Sequence, residues 1–569
     1  MGNVRAPGQV VSMKLRRIVR VVVAGLVGLA VPGAMQAARA QTAGPPVTGS
    51  TITCAIDHRD PSDADKALTA RQYADAERLY GAALAADAAS GEAMTGLVRT
   101  TLAEDKLPEA LALAMKFNAA HPNDPQVLNA LGEVRFRRGE VDEAATAWNQ
   151  SVHLDPCNGV THYDAYRFLE LSGMYASAQR RLEIAHRYSP DNPEIGRRWR
   201  ASHALPLTPE QQLALLKARL DNPSLTQEQK DGIQAAIGGI EAREKGSCEL
   251  VSPVTATKVP IVPIANGPVS SPQDMYGAGL DVELNGKKRR LEIDTGASGM
   301  LLSRSVAKSA GLVPELEVKT GGVGDQGPAN SFVTHVDDIK IGNMEFRNCM
   351  VRVLEQGDVL GVDGLIGTDV FRDYVVTLDI PGREMRIGPL PKRPDEAAEK
   401  PTSLNTSDAD GTPVSVADSA KDRYIAPEMK DWTPVFRSGH NLIFPTVIGN
   451  APLKLFLMDT GASHGMISPE AAREVTHVSG GTDERRVKGI SGEVNKVLIA
   501  DRVSITFAGV RQITEGMTSF DSAALGRSAG VEISGMIGFP TLRELVLSID
   551  YRDNLVHVVY DPKKGFHAH

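Results

Sequence analysis

The sequence predicts a multidomain protein in which an all-α helical solenoid is followed by two mainly-β lobes of one design, paired as a pseudo-dimer. Three observations predict it. A 34-residue periodicity marks the first half, helical spacing of apolar residues gives way to alternation after residue 273, and one Asp-Thr-Gly-Ala-Ser run recurs in matched settings, at Asp294 and Asp459. The expected order is a leader over 1–40, a linker over 41–56, the helical domain with capping helices over 57–245, and a Pro-rich linker over 246–273. A first lobe over 274–390, a flexible linker over 391–425 and a second lobe over 426–569 complete it.

At 569 residues the chain is too long for one hydrophobic core. With 42% apolar and 23% charged residues, most of it can bury enough surface to fold. The net charge of −8 and the shortness of the Lys/Arg clusters exclude a general basic field, so nucleic acid is not an expected partner. Arg5, Lys14, Arg16, Arg17 and Arg20 precede an apolar run over 21–31, and Ala38-Arg39-Ala40 supplies small residues before Gln41. That pattern is a secretory signal peptide, which predicts export, in a bacterium to the periplasm, with no membrane span left after cleavage. An uncleaved anchor is the competing reading. Cys54, Cys157, Cys248 and Cys349 form no Cys-x-x-Cys pair, which argues against zinc; export permits disulfides, and three connectivities stay open.

Ala76, Ala110, Ala144 and Ala178 follow one another at 34-residue intervals. Pro122, Pro156 and Pro190 trail the last three, Gly139 and Gly173 precede the last two, and Tyr80 and Trp148 occupy matching bulky positions. The small alanine lets two helices approach and the glycine serves the turn between them. This pattern resembles the tetratricopeptide repeat, and the resemblance implies a groove able to take a protein partner. Residues 209–220 and 226–245 keep helical spacing after Thr208 and Thr226, two candidate N-caps, and are expected to close the array's exposed end.

The β unit occurs twice. Residues 280–284 lead through Asn285-Gly286 into 290–293, and 442–448 lead through Gly449-Asn450 into 453–458, each hairpin delivering its aspartate nine residues after the turn asparagine. Short helices are expected at 303–310 and 468–475. Gly364-Leu365-Ile366-Gly367 and Gly535-Met536-Ile537-Gly538 then precede a last apolar strand in each copy. Composition alone supplies roughly a few tenths of an Asp-Thr-Gly in such a chain, so two in matched settings carry weight that one would not.

Asp294-Thr295-Gly296 and Asp459-Thr460-Gly461, with the later apolar-apolar-Gly runs, resemble the aspartic peptidases, closest to the retropepsin-like branch, over roughly 275–390 and 430–560. The resemblance implies that Asp294 and Asp459 form one acid-base pair, that Thr295 and Thr460 lock the two loops, and that Gly296 and Gly461 permit the tight turns. It implies a protein or peptide substrate, and no metal, cofactor or covalent intermediate. Peptide hydrolysis needs a base to activate water and an acid to protonate the carbonyl oxygen, and two close carboxylates sharing a proton supply both; the principle's own worked case is this family. Gly322, Val323 and Gly324 in the first copy and Gly489, Ile490 and Ser491 in the second are candidate flaps, although Asp325, Gln326 and Glu493 depart from apolar flap tips. Whether the lobes pair within one chain or between chains stays open.

Two rivals remain. Gly461-Ala462-Ser463-His464-Gly465 matches the nucleophile elbow of serine esterases, although the first copy breaks the pattern. The other is a non-catalytic periplasmic adaptor that binds peptides between its lobes and a partner in its repeat groove. If the repeats only recruit substrate, deleting 57–245 is expected to spare cleavage of short peptides.

Overall fold

A computed structural model describes residues 54–58, 60–203, 207–223, 225–244, 248–271, 274–355, 362–394, 421–480, 486–526 and 530–561. The leader expected over 1–40 and most of the connectors expected over 41–56 and 391–425 lie outside them. A helical repeat region comes first and a mainly-β region follows.

Four helical hairpins run from Asp63–Thr69 to Tyr175–Tyr188. The periodic alanines 76, 110 and 144 are fully buried and Ala178 nearly so, which is where the paired helices touch. Each hairpin turns through a residue of positive φ at the same repeat position: Arg71 (61°), Asp105 (61°), Gly139 (70°) and Gly173 (73°). The last two turns press on the β region. A Cβ on Gly139 would lie 2.7 Å from the Glu532 carbonyl oxygen, and one on Gly173 would strike the Asn554 amide. Glycine there serves close approach as well as backbone conformation. Thr208 and Thr226 cap the helices Pro209–Leu220 and Gln227–Glu244. The second packs against the strand Leu316–Thr320 of the first lobe, with Gly238 against Leu316.

The hairpins around Asn285-Gly286 and Gly449-Asn450 form as expected, and Ser303 and Ser468 cap the short helices Arg304–Ser309 and Pro469–Arg473. Residues 248–271, most of the linker expected over 246–273, are not a free linker. Cys248 is bridged to Cys349, and the strand Thr257–Ile264 pairs with both Glu384–Pro389 and Gly277–Leu284. Val259 and Ile261 are buried while Lys258 and Pro260 face out, so the alternation is that of a strand; the prolines had concealed it. The second bridge, Cys54–Cys157, ties the N-terminal segment to the repeats.

The two lobes join within the one chain. Tyr374–Asp379 of the first pairs antiparallel with Leu545–Asp550 of the second, Val376 opposite Ile549 and Leu378 opposite Leu547. The shared sheet runs in the order Thr433–Pro434, Leu555–Tyr560, Leu545–Asp550, Tyr374–Asp379, Glu384–Pro389, Thr257–Ile264. The repeats are also fused to the second lobe. Phe136, Val141, Ala144, Trp148 and Leu171 share one buried cluster with Ile443, Leu455, Leu457, Ile533 and Met536. Beside it, Lys454 Nζ donates to Glu140 at 2.8 Å and to Glu474 at 2.9 Å, and Arg138 reaches both carboxylates.

Candidate functional site

Asp294 ends the strand Lys287–Asp294, and Asp459 follows Lys454–Met458. Each strand pairs in parallel with its lobe's apolar-apolar-Gly strand, Gly364–Gly367 or Gly535–Ile537, so both aspartates emerge where a strand ends between two others. The two loops meet at the lobe seam. Thr295 N donates to Thr460 Oγ1 at 2.9 Å and Thr460 N to Thr295 Oγ1 at 3.0 Å. Each hydroxyl then donates to the other lobe, Thr295 to the Met458 carbonyl at 2.8 Å and Thr460 to the Ile293 carbonyl at 2.7 Å. Both threonines are fully buried, so four reciprocal bonds in a buried seam fix the loops against each other.

Within this lock the carboxyl groups of Asp294 and Asp459 are hydrogen-bonded to each other. Gly296 N donates to Asp294 Oδ1 at 2.8 Å, and Gly461 N and Ala462 N donate to Asp459 Oδ1, each at 2.9 Å. A Cβ on Gly296 would lie 2.7 Å from the Asp459 carboxyl, and one on Gly461 would strike that of Asp294, so glycine is needed for the carboxyls to meet. Burial raises the Asp294 carboxyl above its ordinary range. Burial and the neighbouring charge of Asp294 raise Asp459 well above its own, and the hydrogen bond between them raises Asp459 while lowering Asp294. Both carboxyls are thus raised by burial, and the two share one proton and titrate as a pair.

Several neighbours carry no motif. His440 lies in the turn between the strands Phe436–Ser438 and Asn441–Ile448; its Nε2 is 3.1 Å from the Gly296 carbonyl and its charge favours ionised Asp294. Asp369 accepts from Ser298 Oγ at 3.0 Å and Gly299 N at 3.0 Å, bracing the first loop. In the second lobe, where Pro540 stands at the place of Asp369, the amide of Phe539 donates to the Ala462 carbonyl at 2.8 Å. Glu292, two residues before Asp294, is pushed up to about 8 by burial and by the charge of Asp294. His440 and Asp369 are lone polar residues that no spacing singles out, whereas Glu292 shows when the two copies are aligned, because Leu457 stands in its place.

The candidate flap segments cross over the site and bind each other. Gly322 N donates to Ser491 Oγ at 3.0 Å, Ser491 N to the Val323 carbonyl at 3.0 Å, and Gln326 N to the Ser491 carbonyl at 2.8 Å. Asp325 and Glu493, which looked out of place on flap tips, take part in the crossing: Asp325 N donates to the Glu493 carbonyl at 3.1 Å, and Asn495 N to Asp325 Oδ2 at 2.7 Å. A Cβ on Gly322 would meet Ile490 at 2.9 Å, on Gly324 the Ser491 carbonyl at 2.5 Å, and on Gly489 the Val323 side chain at 2.9 Å. Val323 joins an apolar cluster of the second lobe and Ile490 one of the first, so each tip is seated in the opposite lobe.

Ser463 does not sit in a nucleophile elbow. The strand Met466–Ile467 separates it from the next helix, and its hydroxyl lies 3.0 Å from Nδ1 of the adjacent His464 on an exposed turn. Among the described residues no group of three or more His, Cys, Asp or Glu side chains could hold a metal ion, and no helix is long and apolar enough to cross a membrane.

Residues 280–370 match the family described as Aspartyl protease, and residues 67–134 match Tetratricopeptide repeat. The chain is similar to DNA damage-inducible protein 1 of Neurospora crassa, 29% identical over 103 residues, which is 18% of this chain and 23% of that protein. It is 31% identical over 116 residues to the UBA domain-containing protein Mud1 of Schizosaccharomyces pombe, 20% of this chain and 33% of that one. With Protein DNA-DAMAGE INDUCIBLE 1 of Arabidopsis thaliana it shares 30% over 112 residues, covering 19% and 26%. The chain thus spans only a quarter to a third of the length of these relatives. It carries a tetratricopeptide-repeat region followed by a domain of the aspartyl-protease type.

Proposed function

We propose that the protein is an exported aspartic endopeptidase that hydrolyses peptide bonds of proteins in the bacterial envelope. The observation that carries this reading is the hydrogen-bonded pair of Asp294 and Asp459 inside the reciprocal threonine lock. The ionised member of the pair takes a proton from a water held between the two groups, and the protonated member gives one to the carbonyl oxygen of the scissile bond. The crossed flaps part to admit an extended peptide and then hold its main chain from above. Export is supported by the leader-like N-terminus and by two disulfides, Cys54–Cys157 and Cys248–Cys349, which persist in an oxidising compartment. The repeats add a surface for a protein partner or substrate.

Purified protein is expected to cleave an unfolded protein at mildly acidic pH, and a statine-type inhibitor is expected to block it. Asp294→Asn and Asp459→Asn should each abolish cleavage without loss of fold, whereas Ser463→Ala should not. Full activity in either asparagine variant would refute the mechanism, and absence of turnover in wild type would favour the adaptor.

A further inference from the structure

The two lobes offer different side-chain pockets on either side of the acid pair. In the strand Lys287–Asp294 side chains alternate, with Leu291 and Ile293 buried in the lobe and Glu292 and Asp294 on the other face. Glu292 is in parallel register with Leu365, which puts both side chains on that face. Leu365 in turn shares a cluster with Ala297 of the active-site loop and with Ile490, the seated flap tip. Glu292 therefore belongs to the wall of the pocket beneath the flap. In the second lobe Leu457 is in register with Met536, and both share a cluster with Ala462 and with Val323, the other flap tip. Position for position, Leu365, Ala297 and Ile490 answer to Met536, Ala462 and Val323. The one change of chemical character is Glu292 against Leu457.

Three features mark the carboxyl as a site for a cation. Among the described residues Glu292 has no ion-pair or hydrogen-bond partner. The missing side chain at Gly277 leaves its room, since a Cβ there would strike Glu292 Oε1. Burial and the nearby Asp294 make its ionisation unfavourable in the free protein, a cost that an incoming positive charge offsets.

An extended peptide sends successive side chains to opposite sides, so the residues flanking the scissile bond enter opposite lobes. We propose, resting on the peptidase reading above, that the enzyme cuts between an apolar residue and a basic one, the Lys or Arg side chain entering the Glu292 pocket and the apolar side chain the Leu457 pocket. A lysine is selected by its ammonium group, and an aliphatic chain of equal length is not.

The test uses matched peptides carrying lysine or norleucine on one side of a leucine, in both chain orders, with the cut located by mass. Wild type is expected to favour lysine by at least about tenfold in kcat/KM in one order, as for a hydrogen bond to a charged group. Glu292→Gln, close in shape, should bring the ratio near one, and Glu292→Leu should invert it towards norleucine. Should Glu292→Leu fail to fold, Glu292→Gln still decides. Equal cleavage of both peptides by wild type, or a lysine preference that survives Glu292→Gln, overturns the inference. If such unselective cleavage is lost in Asp459→Asn, the peptidase reading stands and only the pocket assignment falls. If wild type cuts nothing, both fall.

Discussion

Glu292→Gln also carries a prediction about stability, because the carboxyl is held away from its ordinary state. Burial and Asp294 push it from 4.5 up to about 8. A group whose folded pKa is raised binds its proton more tightly in the folded state. Its contribution to stability is therefore full below pH 4.5 and is lost as pH climbs through about 8. At 1.36 kcal/mol per pH unit, the loss at neutral pH reaches about 3 kcal/mol. That is an upper bound, since the side chain is only part-buried and water reaches it. Glutamine keeps the shape and has no proton to lose. Denaturant unfolding of wild type and Glu292→Gln, followed across about pH 4 to 8, should show a gap that grows in favour of the variant as pH rises. Any constant penalty for burying the amide appears equally at every pH and drops out. The raised aspartates are present in both proteins, so their own titration largely cancels, apart from the relief of Asp294 when its neighbour loses charge. A gap that stays flat over the whole range would show that Glu292 ionises freely and would remove one of the supports for its pocket.

Thr460→Val deletes the hydroxyl that accepts from Thr295 N and donates to the Ile293 carbonyl, leaving a buried donor and a buried acceptor unsatisfied. A loss of about 2–4 kcal/mol is expected, with activity falling further than stability because the aspartates lose their alignment; a chemical melt beside kcat measures both. Glu140→Gln removes one of the two carboxylates, Glu140 and Glu474, that pair with both Lys454 and Arg138 at the repeat–lobe seam, and should cost about 3–5 kcal/mol. Deleting 57–245 should abolish cleavage of short peptides as well as proteins, since it uncovers Leu455 and Ile533, both fully buried; retained peptide activity would show that the second lobe holds together alone.

Much of the architecture was legible because it is written in periods and copies. The 34-residue spacing exposes the repeats, and two Asp-Thr-Gly runs in twin hairpins expose the lobes. Local chemistry was equally readable in Ser303, Ser468, Thr208 and Thr226, whose capping role depends only on the next few residues. Contacts between segments far apart in sequence were not. Pro260 and Pro263 made the strand Thr257–Ile264 look like a linker, although residues 257–260 pair with Glu384–Pro389 and 261–264 with Gly277–Leu284, so each proline sits where its half of the strand has a ladder partner on one side. The charged flap residues looked wrong because their partners lie in the other lobe, about 170 residues away. His440 and Asp369 left no trace, being lone side chains set by tertiary geometry.

The docking of the repeats alters what the helical region can be taken to do. A freely presented solenoid would need glycine only for conformation, and Arg71 and Asp105 show that other residues adopt the same turn. Gly139 and Gly173 occur at turns pressed so closely on the β region that a Cβ would collide with it, which the interface and not the repeat explains. The helices at that interface back Leu457 and Met536, the strands that line the apolar pocket. The array's final helix rests on Leu316–Thr320, the strand that leads into the first flap segment. A partner that bends the solenoid would therefore act on one pocket and on one flap through packed side chains, without approaching the aspartates. If the groove recruits substrate as proposed, the helices that recruit also support the site, so substitutions on the groove's surface, not removal of the helices, are what can test recruitment apart from folding.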